Sequence, residues 1–466
     1  MRRVLIIIIK LLTFFVGGRI VDKIGFNIFL FYWNTISKGH LLIRQTKPKP
    51  RLVWCPINMI NHKYWANSMR EIGYEATTIA DFANFIASID DFDYFLHEND
   101  KNFYTKILNR KTTILYELRH SYPQIVHYLA FDYLLKNYDI AHFGFIGSFL
   151  GTTNYWQHEA ILMRKFGIKS VIQSYGADMY MYSRITDVLL RHTFIGYNEH
   201  FAKNESIIES KVKYWTLNAD ALLPNLAIDG IGRWSALPYN TLAIDLKLWR
   251  TKTTYSTNDG SNGPVKIIHT PNHRYIKGTE YLFRAIEELK NEGLQFELIL
   301  LEKKPNIEVR RIMNEEADIL AEQFVFNAYA MSGVEGMASG LPVLANLSDQ
   351  HYTRAFRLHS FLNECPVLST PIEIIKENLS LLIKNPSLRK ELGIAGRNYA
   401  EKYHSYSSAQ YLFQKVYDKI WYNSEVDLIN MYHPLNPEAY NNQSPKIEHP
   451  LIENKISAEL LVTLNK

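Results

Sequence analysis

The chain has 466 residues, 47% of them hydrophobic and 21% charged, enough to bury more than one core. A net charge of +5 is too mild to point to nucleic acid. Two cysteines, Cys55 and Cys365, exclude a disulfide framework and a cysteine zinc site, and they fit a reducing compartment.

In chain order, Arg2 and Arg3 precede an apolar run over residues 4–16 that only Lys10 and Thr13 interrupt, and a second run covers residues 26–33. A spanning helix needs about 20 apolar residues, so neither run fits comfortably as one. The basic start resembles a signal peptide but lacks a small-residue cleavage site. With Arg19, Asp22 and Lys23 between the runs, residues 1–50 read as an extension that rests on an anionic membrane surface. The competing reading packs both runs as ordinary helices on the domain behind them. Residues 47–51, KPKPR, read as a linker.

From residue 51 short apolar stretches alternate with helical ones. Strands are expected at 51–56, 75–79, 139–145 and 169–175, with helices at 61–72, within 100–138 and at 155–166. That alternation predicts a doubly wound parallel sheet. Asp178, just past the last of these strands, reads equally as a substrate acceptor and as a turn or cap aspartate. His142, alone on an apolar strand, reads as a core residue. Residues 256–263, STNDGSNG, mark the hinge to a second half.

The second half opens with a strand at 265–270, followed by a helix whose apolar face is Tyr281, Leu282, Ala285, Ile286 and Leu289. Arg274 and Lys277 lie between them, where a buried diphosphate would need cations. An R-x-x-K standing alone would be a solvated loop. Residues 324–347, FVFNAYAMSGVEGMASGLPVLANL, then read as one βαβ unit. Its strands are expected at 324–327 and 342–347. Its helix would start at Ser332, closed by a capping box with Glu335, and would stop at Gly340. A helix N-terminus at the carboxyl end of a strand is where doubly wound folds bind phosphorylated ligands.

Several stretches resemble one family. VEGMASGLPVLAN resembles the EAMASGLPV motif in the donor-binding domain of retaining nucleotide-sugar glycosyltransferases, the GT-B fold, family four. HTPNHRYIKGTEYL resembles the segment that carries that family's phosphate-binding Arg and Lys. The stretch at 385–410 resembles its C-terminal NP-x-LR-x-x-LG helices. IAHFGFIGSFLG resembles the IHFHFG segment, SVIQSYGADMY the HGSD strand end, and LPYNTLAIDLKLW the LPN-x-ID passage between the domains.

The resemblance implies an α/β protein of the GT-B type, with two Rossmann-like doubly wound domains facing a central cleft. The acceptor-side domain would span 51–250 and the donor domain 264–405. Residues 406–466 would supply a helix returning to the first domain and a polar tail. It further implies transfer of a sugar, of the hexosyl type, from a nucleoside-diphosphate donor to a hydroxyl of a growing, lipid-linked glycan, with retention of configuration. The expected setting is cell-surface polysaccharide assembly on the cytoplasmic face of a membrane, with no cofactor and no metal. Arg274 and Lys277 would stabilise the leaving diphosphate, and Asp178 and Tyr175 would complete the catalytic set. Tyr175 stands where the family has His, and a Tyr is a poor base at neutral pH. Donor binding would fall to Glu335 on the ribose, with Asn327, Ala328, Tyr329, Ala330, Ser332 and Gly333. Asn327 occupies the place of the family's first Glu, and ADILAEQ resembles a branch that also lacks it. An epimerase or phosphorylase of the same fold and a non-catalytic binding protein stay open as alternatives.

Overall fold

The computed structural model describes residues 18–45, 48–83, 88–97, 101, 103, 124–224, 233–348, 350–436 and 445–451. Apolar stretches such as LVW and VKIIH become strands whose two faces are covered by helices, so the pairing throughout is parallel. The first sheet contains β1 (Leu52–Trp54), β2 (Ala76–Ala80), β3 (Tyr94–Phe95), β4 (Ile140–Phe143), β5 (Lys169–Gln173) and β6 (Ala221–Leu223), in the order β3-β2-β1-β4-β5-β6. The second contains β7 (Val265–His269), β8 (Phe296–Leu300), β9 (Ile319–Gln323), β10 (Val343–Ala345) and β11 (Leu368–Ser369), in the order β11-β10-β9-β7-β8. In each sheet the winding reverses beside its first strand: β1 lies between β2 and β4, and β7 between β9 and β8. Such a reversal leaves a crevice outside the carboxyl ends of the strands. The two sets of carboxyl ends line one shared cleft. Two Rossmann-like doubly wound domains thus face each other, which is the GT-B fold.

The unit expected at 324–347 forms, shifted. Its first strand is β9, several residues ahead of the expected 324–327. Residues 324–326 instead cross the turn after β7: Phe324 N–H donates to the Lys277 carbonyl at 3.1 Å and Phe326 N–H to that of Ile276 at 3.4 Å. Gly278, left-handed at φ 73°, permits that approach, since a Cβ there would lie 3.1 Å from Phe324 Cβ.

The N-terminal reading divides. Residues 1–17 lie outside the described residues. The second run belongs to a single helix, Gly18–Gln45, in which Arg19, Asp22 and Lys23 make no break, because no proline interrupts its backbone donors. One face is fastened to the first domain: Phe26 stacks on Tyr155 at 3.8 Å, and Trp33 Nε1 donates to Asp132 at 3.1 Å. The buried Arg44 guanidinium donates to the Leu135, Tyr138 and Phe166 carbonyls and to Asp139. The other face exposes Ile20, Ile24, Ile28 and Phe31. Among the described residues no helix is long and apolar enough to cross a membrane.

At the far end, the helix Tyr406–Ile420 leaves the second domain and packs on the first. Tyr417 Oη meets His142 Nε2 at 2.8 Å, Phe413 lies edge-on to Trp54, and Gln410 donates to the Ser68 carbonyl. His142 is therefore a satisfied core residue, which burial keeps neutral. The two places where the chain passes between domains are stitched together. His404 Nδ1 bonds the Leu242 carbonyl at 2.8 Å, and its own carbonyl accepts Ile244 N–H at 2.8 Å. The stretch expected to be the hinge is instead pinned to the second domain, because Arg389 donates to the carbonyls of Ser256 and Asn258.

Candidate functional site

The cleft encloses about 500 Å³, within the usual ~300–1,000 Å³ range for small-molecule sites. Its second-domain wall is built by three strand exits. The chain leaves β7 through residues 270–273 into a short helix, Arg274–Lys277, and leaves β8 through Leu301, Lys303 and Lys304. It leaves β9 through Gln323 and Phe326 to the helix Met331–Ala338, whose first turn faces the space. This is the crevice at the winding reversal, between β7 and β9. The first N–H groups of a helix have no partner within it, and they carry partial positive charge.

Lys277 and Glu335 both line this space. The Lys277 ammonium is buried, 6% exposed, against a Glu322 carboxylate that is 0% exposed. Ser332 Oγ completes the triangle, 2.7 Å from Glu322 and 3.0 Å from Lys277. Ser332 therefore does not cap its helix: the N-cap is Ala330, with no side-chain cap bond. The capping-box expectation for Ser332 and Glu335 fails because the hydroxyl has a stronger, charged partner. Glu335 accepts from Asn306 Nδ2 at 3.0 Å instead. Burial lifts its carboxyl from 4.5 to about 8, against the smaller lowering effect of that bond, so in the free protein it holds a proton at neutral pH.

Arg274 is placed differently. Its guanidinium forks onto Glu302 at 2.7 and 2.9 Å and reaches Glu280 at 3.2 Å, and it does not line the cleft. Of the remaining donor candidates, Ala330 and Ser332 line the space. Asn327 and Ala328 are buried behind the wall, and the Ala328 carbonyl accepts from Gln323 Nε2. Tyr329 belongs to the seam between domains, its hydroxyl 2.9 Å from His404 Nε2 and 3.0 Å from Tyr399 Oη. Gly333 lets the helix close on the loop that leads into it, since a Cβ there would stand 2.9 Å from Tyr329 Cβ.

On the first-domain wall, Tyr175 lines the cleft and Asp178 lies behind it. Asp178 accepts backbone N–H groups from Phe145 at 2.7 Å and from Tyr175 and Gly176 at 3.0 Å each, clamping the β4 and β5 exits together. Of its two sequence readings, this geometry is that of the cap. Burial raises the Tyr175 phenol well above its ordinary range, so it bonds as a neutral hydroxyl. The walls touch at Phe326, which packs on Phe194 and Tyr180, and where Tyr197 Oη meets His273 Nε2 at 3.0 Å.

No family model and no curated protein sequence matches the chain. It is similar in structure to Anabaena Alr3699/HepE in complex with UDP-glucose, at 12% identity and a TM-score of 0.45, over 79% of this chain and 99% of that one. It is also similar to the catalytic domain of starch synthase IV from Arabidopsis thaliana, bound to ADP and acarbose, at 10% identity and a TM-score of 0.43, over 80% and 99%. A UDP-glucosyltransferase from Polygonum tinctorium gives 12% identity and a TM-score of 0.42, over 82% and 100%. Likeness at this level carries no argument about activity.

Sequence reasoning missed Glu322, Lys303, Lys304, Asn306, His273 and Tyr197. Glu322 was in view within ADILAEQ. Nothing in the sequence marked it as the partner of a lysine 45 residues away.

Proposed function

We propose that the chain transfers a hexosyl group from a nucleoside-diphosphate sugar to a hydroxyl of a growing, lipid-linked glycan, with retention of configuration. The observation that carries this reading is the first turn of the helix Met331–Ala338 opening into the β7–β9 crevice beside Lys277 and Glu335. A diphosphate seated there meets unpaired N–H groups and the positive helix end. The ribose hydroxyls of the same ligand meet Glu335 and Asn306. As the sugar leaves, charge gathers on the diphosphate, and fixed donors aimed at that charge lower the barrier. An acceptor enters along the opposite wall, where the neutral Tyr175 hydroxyl positions it without removing its proton.

The test is a panel of UDP-, GDP-, ADP-, CDP- and dTDP-sugars in excess EDTA, read by release of nucleoside diphosphate. One donor is expected to turn over, with weaker donor affinity in Glu335→Gln. The reading fails if no donor binds or reacts, or if magnesium is needed to restore turnover. Rearrangement of the donor's own sugar without acceptor would replace it with an epimerase.

The exposed row of Ile20, Ile24, Ile28 and Phe31, with Arg19 and Lys23 beside it, supports attachment to an anionic membrane surface. Flotation with anionic liposomes should be lost in an Ile24→Asn/Ile28→Asn variant whose unfolding curve is unchanged. Equal flotation of the variant would remove the attachment.

A further inference from the structure

A nucleoside-diphosphate sugar carries negative charge on each phosphate, and the cations expected to meet it are otherwise engaged. Lys277 is neutralised by Glu322. Arg274 is held between Glu302 and Glu280, outside the lining. Of the two other lysines that line the cleft, Lys304 pairs with Glu308 at 3.4 Å, one helical turn along the chain. Lys303 lines the cleft and makes no ion pair among the described residues. The carboxylate beside it in the chain, Glu302, feels its charge but is already forked onto Arg274.

The backbone around it is also unusual. Lys303 sits at φ 51°, in the left-handed region that side chains other than glycine rarely enter. Such a conformation persists where neighbouring structure imposes it. Here the imposing groups flank it: Glu302, forked onto Arg274 from the β7 exit, and Pro305, which leads into the helix Asn306–Glu315. Asn306 in turn bonds Glu335. The turn that carries Lys303 is therefore tied at one end to Arg274 and at the other to the proposed ribose site. β8 is the direct neighbour of β7, and paired strands lie about 4.8 Å apart. A lysine stem is long enough to cross that distance to the crevice.

We infer that Lys303 is the cation that takes up the donor's diphosphate, and that Arg274 is a positioning residue that holds the Lys303 turn through Glu302. This assignment rests on the donor reading above. The probe is whichever of UDP, GDP, ADP, CDP and dTDP the native full-length chain binds best, with its uncharged nucleoside as the reference, both by calorimetry. Lys303→Gln should weaken diphosphate binding tenfold or more and flatten its salt dependence, with nucleoside affinity within about twofold of native. Lys303→Arg should restore most of the loss. Arg274→Gln should cost less than Lys303→Gln. Native-like diphosphate binding by Lys303→Gln would overturn the assignment and leave the donor reading standing. So would an equal loss of nucleoside and diphosphate, which marks a change of loop shape. A larger loss in Arg274→Gln would show that Arg274 leaves Glu302 to reach the phosphates, and would overturn it too. Absence of binding by any of the five diphosphates to the native chain would end both.

Discussion

In the first domain the buried carboxylates at the exits of β4 and β5 meet backbone. Asp178 takes the N–H groups of Phe145, Tyr175 and Gly176, and Glu159 takes those of Ser148 and Leu150 with the Ser148 hydroxyl. On the second-domain wall they meet mainly side chains: Glu322 bonds Lys277 and Ser332, with one longer bond from Ala330 N–H at 3.4 Å, and Glu335 bonds Asn306. A carboxylate bonded to backbone fixes the path of a loop and cannot change partner unless the loop moves. One bonded to side chains can exchange partners by rotamer changes when a charged ligand arrives. The difference teaches that burial and a raised pKa do not by themselves pick out a ligand site. Asp178 and Glu335 are both lifted by burial, to about 6 and about 8, yet only Glu335 faces the space.

The sharpest way to break this contrast is Lys277→Ala. It leaves Glu322 buried without its cation, which should cost about 3–5 kcal/mol in denaturant unfolding. Turnover should fall by more than about a hundredfold. Adding Glu322→Ala should recover most of the stability and none of the turnover. If both return, the pair is purely structural.

Asp178→Asn comes next in size. An amide keeps only one acceptor oxygen for three N–H donors, so roughly 2 kcal/mol of stability should be lost in urea unfolding. Nucleotide affinity on the other wall should stay within about twofold. A large affinity loss with unchanged stability would mean that Asp178 faces a ligand after all.

A third test is the pH dependence of Glu335. Its folded pKa is raised from 4.5 to about 8, so between these values the native state holds a proton that the unfolded state has released. The stability this gives is complete below about 4.5 and is lost as pH rises towards about 8. Melting curves of the native chain should therefore fall, relative to Glu335→Gln, from pH 5 to pH 8. Parallel curves would show that the carboxyl titrates normally.

The alternation of strands and helices was legible where a strand is apolar and its covering helix has an apolar face, as in the helix Thr279–Asn291 after β7. The short helix Arg274–Lys277, ended by the left-handed Gly278, was not legible, because four residues carry no periodicity. What misled was polarity in the wrong place. ILAEQ ends on the polar Glu322 and Gln323, and the apolar FVFN beside it reads as the strand instead. Both polar side chains are buried, matched to Lys277 and to the Ala328 carbonyl, partners that periodicity cannot reveal. Arg274 was conspicuous for its charge, but its two glutamate partners lie 6 and 28 residues away, and spacing does not show where a guanidinium turns. Lys303 had no motif to announce it, since a lysine pair after a strand reads as solvent-facing.

The stitched passage at His404 bears on how such a molecule can be cut and recombined. A nick anywhere in residues 256–263 would cut the chain within the second domain, yet the helix Tyr406–Ile420, on the downstream fragment, would still be seated against Trp54 and His142 of the upstream one. The two fragments should therefore travel as a single particle. Likewise, a chimera joined at residue 264 would bring a foreign last helix to the wall of its new first half. The interchangeable unit runs from the Leu242 crossing to residue 403, and a graft with those borders keeps the closing helix with the sheet it covers.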